Sequence, residues 1–302
     1  MQKPGFTTKF IAAAVMMLGF TVTAQAGADI TYVSTTGKDK NVKVDCSASA
    51  ACRTLAAALS VTNSGGEIVV LNSGGYGSAS ITQPARITVL GGVDASITQT
   101  TAGDNALTIN TTGNVTITGL NLRGGGTGSD GILVNQVGFL RLYSMAIQNF
   151  ANNGVHFTSA SSNLAIYDSN LEGCGHDGLL LQAAGAQAYA HDTNFDNNAF
   201  AGADASQGLL AIADSSAHYN QYGFFANGGT VTLYGDRAIF NTNGLAANAT
   251  GSLYFAGCLV SDNTNAYNVA SGGVVSGSSP GSSLIAPGQS TVGSPSPGIT
   301  LQ

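Results

Sequence analysis

A glycine returns every 21 to 24 residues through the second half of this chain. Gly131, Gly154, Gly178, Gly202, Gly223 and Gly244 each precede a short apolar run, at intervals of 23, 24, 24, 21 and 21, and Ala266 takes the slot 22 further on. A fixed period in this range marks a solenoid, in which each repeat buries its apolar face against its neighbours. Each period holds a short strand after the Gly, an alternating strand such as FLRLY, NLAIY or SLYFA, and a third short strand ending in an Asn-rich bend. Three strands per period with no helix between them predict an all-β fold, a parallel β-helix. The Leu-x-x-Leu-x-Leu spacing of a leucine-rich repeat is absent.

Equivalent positions in successive coils stack at about 4.8 Å, so side chains should form ladders along the axis. Counting from the Gly sets Leu140, Leu164, Ala188 and Leu210 in one inward column, and Leu142, Ile166, Ala190 and Ile212 in the next. Alternation sends Arg141, Ala165, Tyr189 and Ala211 outward, followed on the same face by Tyr143, Tyr167, His191 and Ala213. From residue 231 the register is ambiguous by one, because Gly235 reads as an extra residue. Asn152, Asn153, Asn197, Asn198, Asn220, Asn241, Asn243, Asn263 and Asn265 gather at the bend before the Gly. There they suit left-handed backbone and amide ladders.

The ends read differently. Residues 1–26 carry a basic start (Lys3, Lys9), an apolar stretch from Phe10 to Val22 and a small-residue site at Ala24-Gln25-Ala26. That is a secretory signal peptide, cleaved near Ala26, and it predicts a secreted or periplasmic protein with no membrane span. The mature chain runs from 27 to about 275 as one domain, with an N-terminal cap over about 46–61, where Arg53–Val61 has a helical apolar stripe. Residues 276–302 are a Gly/Ser/Pro-rich tail expected to be loosely ordered. Cys46 and Cys52, close together in an exported chain, are expected to form a disulfide. Cys174 and Cys258 are about four coils apart, roughly 19 Å, and are expected to stay as buried thiols.

Losing the signal leaves eight basic residues against sixteen acidic ones, a net charge of −8. Such a chain has no electrostatic footprint for nucleic acid and repels a polyuronate unless a cation intervenes. A monomer is the default expectation.

The segment YVSTTGKDKN…CSASAACRTLAAAL…GGEIVVLNSGGYG…ITQPARITV resembles the start of exported bacterial right-handed parallel β-helix proteins with a pectin-lyase-like fold. Cys52-Arg53-Thr54-Leu55, Ala58-Leu59, Gly65-Gly66, Ile68, Val70-Leu71, Gly74, Tyr76 and Gly77 carry the likeness. The resemblance implies a right-handed cylinder with a helical N-terminal cap, and for many members like this one no established activity. The Asn-Thr-Asp, Asp-Asp and Arg-Ile-Lys motifs of galacturonan hydrolases are absent, as is the Asp-Pro-His of mannuronan epimerases.

One constellation survives that comparison. Asp168, Asp192, Asp214 and Asp236 recur at intervals of 24, 22 and 22 after the alternating strand, with Glu172, Asp196 and His218 four residues on and His191 and Tyr167 alongside. Stacked carboxylates about 4.8 Å apart suit a hard cation such as Ca²⁺, with Asp168, Asp192, Asp214, Glu172 and Asp196 as ligands. They also suit paired-carboxylate hydrolysis with His191 or His218 as proton carriers. Against both, Asp after a strand is ordinary turn chemistry, and Ser144 and Gly257 fill the same slot at the ends. Tyr143, Tyr167, Tyr189 and Tyr234, with Arg141, form a candidate sugar-binding face, or simply stabilise the sheet. The leading expectation is a non-catalytic scaffold for glycan or cell-envelope interaction without a cofactor. The alternatives are a divergent polysaccharide lyase or glycoside hydrolase on the acidic ladder, and a surface adhesin.

Overall fold

The computed structural model describes residues 27–277 except Ala249, together with the strands Leu284–Ile285 and Ser290–Val292. The signal peptide expected at 1–26 and most of the tail lie outside these residues. One coil shows the plan: Phe139–Tyr143 in a first sheet, Ala146–Gln148 in a second, Val155–Phe157 in a third. Each strand pairs in parallel with its counterpart one period later, which builds sheets of eleven, ten and ten strands. The columns follow the expected register: Leu140 stands beside Leu164, then Ala188, then Leu210, and all four are buried.

The recurring glycine has a steric cause. None of the six adopts a positive φ. A methyl on Gly131 would lie 2.5 Å from the carbonyl oxygen of Gly154, and one on Gly178 2.6 Å from that of Gly202. The coils approach so closely at this corner that only hydrogen fits.

Positive φ falls at other slots of the coil. Ser144, Asp168, Asp192, Asp214, Gly235 and Gly257 form a left-handed column between the first and second sheets. Asn149, Gly173, Asn197, Tyr219, Phe240 and Asp262 form another between the second and third. Gly235 is therefore no insertion. Ala213 pairs with Tyr234, so Gly235 occupies the turn slot. This removes Asp236 from the expected ladder: it sits one position on, buried, accepting from Ser215 N at 2.8 Å.

The Asn-rich bend resolves into separate columns. Asn198, Asn220, Asn241 and Asn263 form a buried ladder. Each side-chain oxygen accepts a backbone N–H from the preceding coil at 2.8–3.1 Å. Each amide donates back to that coil, to Leu171, Phe195, Ala217 and Ala238 in turn. Cys174 holds the same slot one coil earlier, its sulfur taking the Phe150 backbone N–H in place of an amide oxygen. Asn153 belongs to a second chain running the other way: Asp130 N to Asn105, Asn153 N to Asp130, Asp177 N to Asn153 and Ala201 N to Asp177, at 2.9–3.2 Å.

At the N-terminal end the expected helix spans Leu55–Leu59, capped by Thr54 Oγ1, with Leu55, Ala58 and Leu59 in the core. A 3-10 helix at Asp39–Val44 precedes it, and a Cys46–Cys52 disulfide lies between the two. At the other end Val274–Gly277 closes the first sheet near the expected boundary at 275, while Leu284–Ile285 and Ser290–Val292 extend the other two beyond it.

Candidate functional site

The outer face of the first sheet carries the tyrosines that the register placed there. Tyr143 and Tyr167 stand side by side in the ladder and stack, centroids 5.1 Å apart and planes within 8°. Tyr189, in the adjacent outward column, meets Tyr167 edge-on at 5.9 Å. All three keep part of their surface open. His191 extends the Tyr143 column by one coil and lies 6.5 Å from the Tyr167 ring. Arg141 lays its guanidinium over Phe139 at 3.6 Å, a cation–π contact that holds it against the sheet. Tyr234 returns to this column beyond Ala213 and is 67 % exposed. Near it Thr232, Tyr254, Ala256 and Gly277 border a shallow depression of about 370 Å³.

The acidic strip is real only in part. Asp168, Asp192 and Asp214 hold left-handed turns with φ of 48–51°, a backbone that Asp, Asn and Gly tolerate best. His191 joins two of them, with Nδ1 3.0 Å from Asp192 and Nε2 3.4 Å from Asp214. Asp168 takes no part in that bridge. Glu172, Asp196 and His218 stack on the second sheet, where His218 Nδ1 lies 3.2 Å from Asp196. Burial raises the Asp196 carboxyl while His218 opposes the rise. Among the described residues no three His, Cys, Asp or Glu side chains converge closely enough to hold a metal ion.

Around the third sheet lie groups that did not enter the expected site. Fully buried Asp177 fixes His176 Nδ1 at 2.8 Å, and the imidazole stacks on Phe200 at 4.7 Å. His156 lies between Asp130 at 3.3 Å and Gln182 at 3.1 Å. Both imidazoles are raised above the ordinary range, first by the carboxylate each faces. Asp204 is 1 % exposed, one of its oxygens lacks a partner, and burial pushes it up to about 8. The signal for Asp130 and Asp177 was present: each sits just before a repeat Gly, where Asn153 also stands. Cys174 and Cys258 are buried thiols pushed up to about 12 by burial, too weakly acidic to act as nucleophiles.

Comparison with known proteins agrees with this architecture. The family model described as "Right handed beta helix region" matches residues 105–265, more than half of the chain. No curated protein matches the chain. Among solved structures, pectate lyase Pel9A superposes with a TM-score of 0.55 at 15 % identity, over 90 % of this chain and 78 % of its own. At that identity the likeness speaks for the fold. No helix among the described residues is long and apolar enough to cross a membrane.

Proposed function

Since the chain belongs to the right-handed β-helix family, we propose that it uses this scaffold, without catalysis, to bind a neutral polysaccharide along the outer face of the first sheet after export. The observation that carries the reading is the row of Tyr143, Tyr167 and Tyr189 on three successive coils. Partly open aromatic rings repeated along an axis offer stacking surface to successive sugar rings. The carboxylates of Asp168, Asp192 and Asp214 beside the row disfavour a polyuronate, as does the acidic chain. The disulfide at Cys46–Cys52 supports an oxidising compartment.

Affinity electrophoresis through gels containing galactomannan or hydroxyethyl cellulose tests this. Native protein should be retarded, and Tyr167→Ala should weaken binding about tenfold. The alternative, a divergent lyase or hydrolase, draws on the likeness to a pectate lyase and on the Asp192–His191–Asp214 bridge. Unsaturated products from pectate or alginate, or new reducing ends from a neutral glucan, abolished in Asp192→Asn, would replace the binding reading with that one. If the strip takes Ca²⁺, millimolar Ca²⁺ should raise Tm, and Asp192→Asn should cancel the rise.

A further inference from the structure

We propose that Tyr219 and Phe240, at the corner between the second and third sheets, and the polar depression that crosses the second sheet up to His218 form a second glycan subsite. Both residues occupy the left-handed turn column, each with φ of 58°. The other positions of that column are Asn149, Gly173, Asn197 and Asp262, residue types at ease in this backbone. A bulky aromatic at positive φ is an outlier, and strain of this kind collects at functional sites. Burial does not offset it: Tyr219 is 60 % exposed and Phe240 50 %. The rings stack on one another, centroids 5.3 Å apart and planes within 12°. Two neighbouring coils thus place aromatic surface in water at a slot where Asn would serve the fold better.

What lies beside the pair selects the ligand. His218 immediately precedes Tyr219 and borders a depression of about 450 Å³ that Asn194, Asp214, Ser216 and Arg237 also line. These groups offer both donors and acceptors, and the opposite charges of Arg237 and Asp214 leave the hollow without a strong sign. Exposed rings at one edge of the second sheet and a balanced polar hollow on its face, joined through His218, match a sugar, with its apolar ring face and its rim of hydroxyls. An apolar peptide or an acyl chain would leave the polar lining unpaired. Asp214 also faces His191, so the subsite adjoins the first-sheet row. The ligand class rests on the glycan reading above, whereas the location does not.

The test combines stability with binding in the full mature chain. Tyr219→Asn and Phe240→Asn relieve the backbone, so each should raise Tm by about 2–4 °C. Each should also weaken retardation by galactomannan or hydroxyethyl cellulose about tenfold. A fall in Tm would mean that the stacked pair is structural and would overturn the proposal. Native-like binding by both variants, with Tyr167→Ala impaired, would overturn the subsite and leave the first-sheet reading standing. Impaired Asn variants with a native-like Tyr167→Ala would do the reverse. A native protein retarded by neither glycan would overturn both.

Discussion

Gly178 shows how much of this fold depends on single atoms. Its φ is unremarkable for any residue, and the constraint comes from the Gly202 carbonyl in the next coil. Gly178→Ala should therefore cost about 2–3 kcal/mol, as over-packing does, and lower Tm in a thermal melt by several degrees. Position-by-position reading succeeded wherever the period alone decides, as in the Leu and Ile columns, the Tyr row and Asp168, Asp192 and Asp214. It failed where one residue of register decides. Asn197 and Asn198 are indistinguishable by type, yet one takes the left-handed turn and the other the buried ladder. Asp236 looked like a ladder member because Gly235 fills the turn slot without a side chain to announce it. His176 and Asp177 were not part of the expected site. What matters there is the buried carboxylate holding the imidazole, a relation visible only once neighbouring coils are stacked.

Among the elements, the N-terminal cap was the most legible, because its helix carries its own apolar stripe. Its partner, Asp39–Val44, has no apolar periodicity and is tied in from elsewhere: the Asp39 carboxylate accepts from Arg53 N and Thr54 N, each at 2.9 Å. The disulfide closes a short loop between the two, worth about 2 kcal/mol in the chain-entropy account. The Cys46→Ser/Cys52→Ser variant should melt a few degrees lower. Its first new cleavage under limited proteolysis should fall within residues 38–54, with the coils beyond Val61 still protected. The C-terminal strands were missed for the opposite reason. Gly, Ser and Pro composition predicts a loose tail, but Leu284–Ile285 takes its pairing from Leu259–Ser261 and Ser290–Val292 from Asn265–Val269, and strand preference yields to that template.

The molecule as a whole should be more stable in mild acid than in mild base. Burial holds Asp204 at about 8 and Asp236 at about 7, both above their unfolded values near 4. Between those limits the folded chain binds more protons than the unfolded one, so stability falls as pH rises. The raised imidazoles of His156 and His176 act in the same direction. Tm should drop by several degrees from pH 4.5 to pH 8.5, and Asp204→Asn should flatten that profile. A melt series that rises toward pH 8.5 would contradict the assignment. The same axial repetition governs how such a chain can change in length. Every missing methyl is matched by a carbonyl exactly one period away, from Gly131 to Gly244, where the facing oxygen belongs to Ala266. The turn between the third and first sheets already absorbs most of the difference between 21- and 24-residue coils, but an insertion within a strand or at the glycine itself breaks that pairing in both neighbours. Duplicating or excising one entire period leaves every pair intact, so ancestors and descendants of this cylinder should differ by integral numbers of coils.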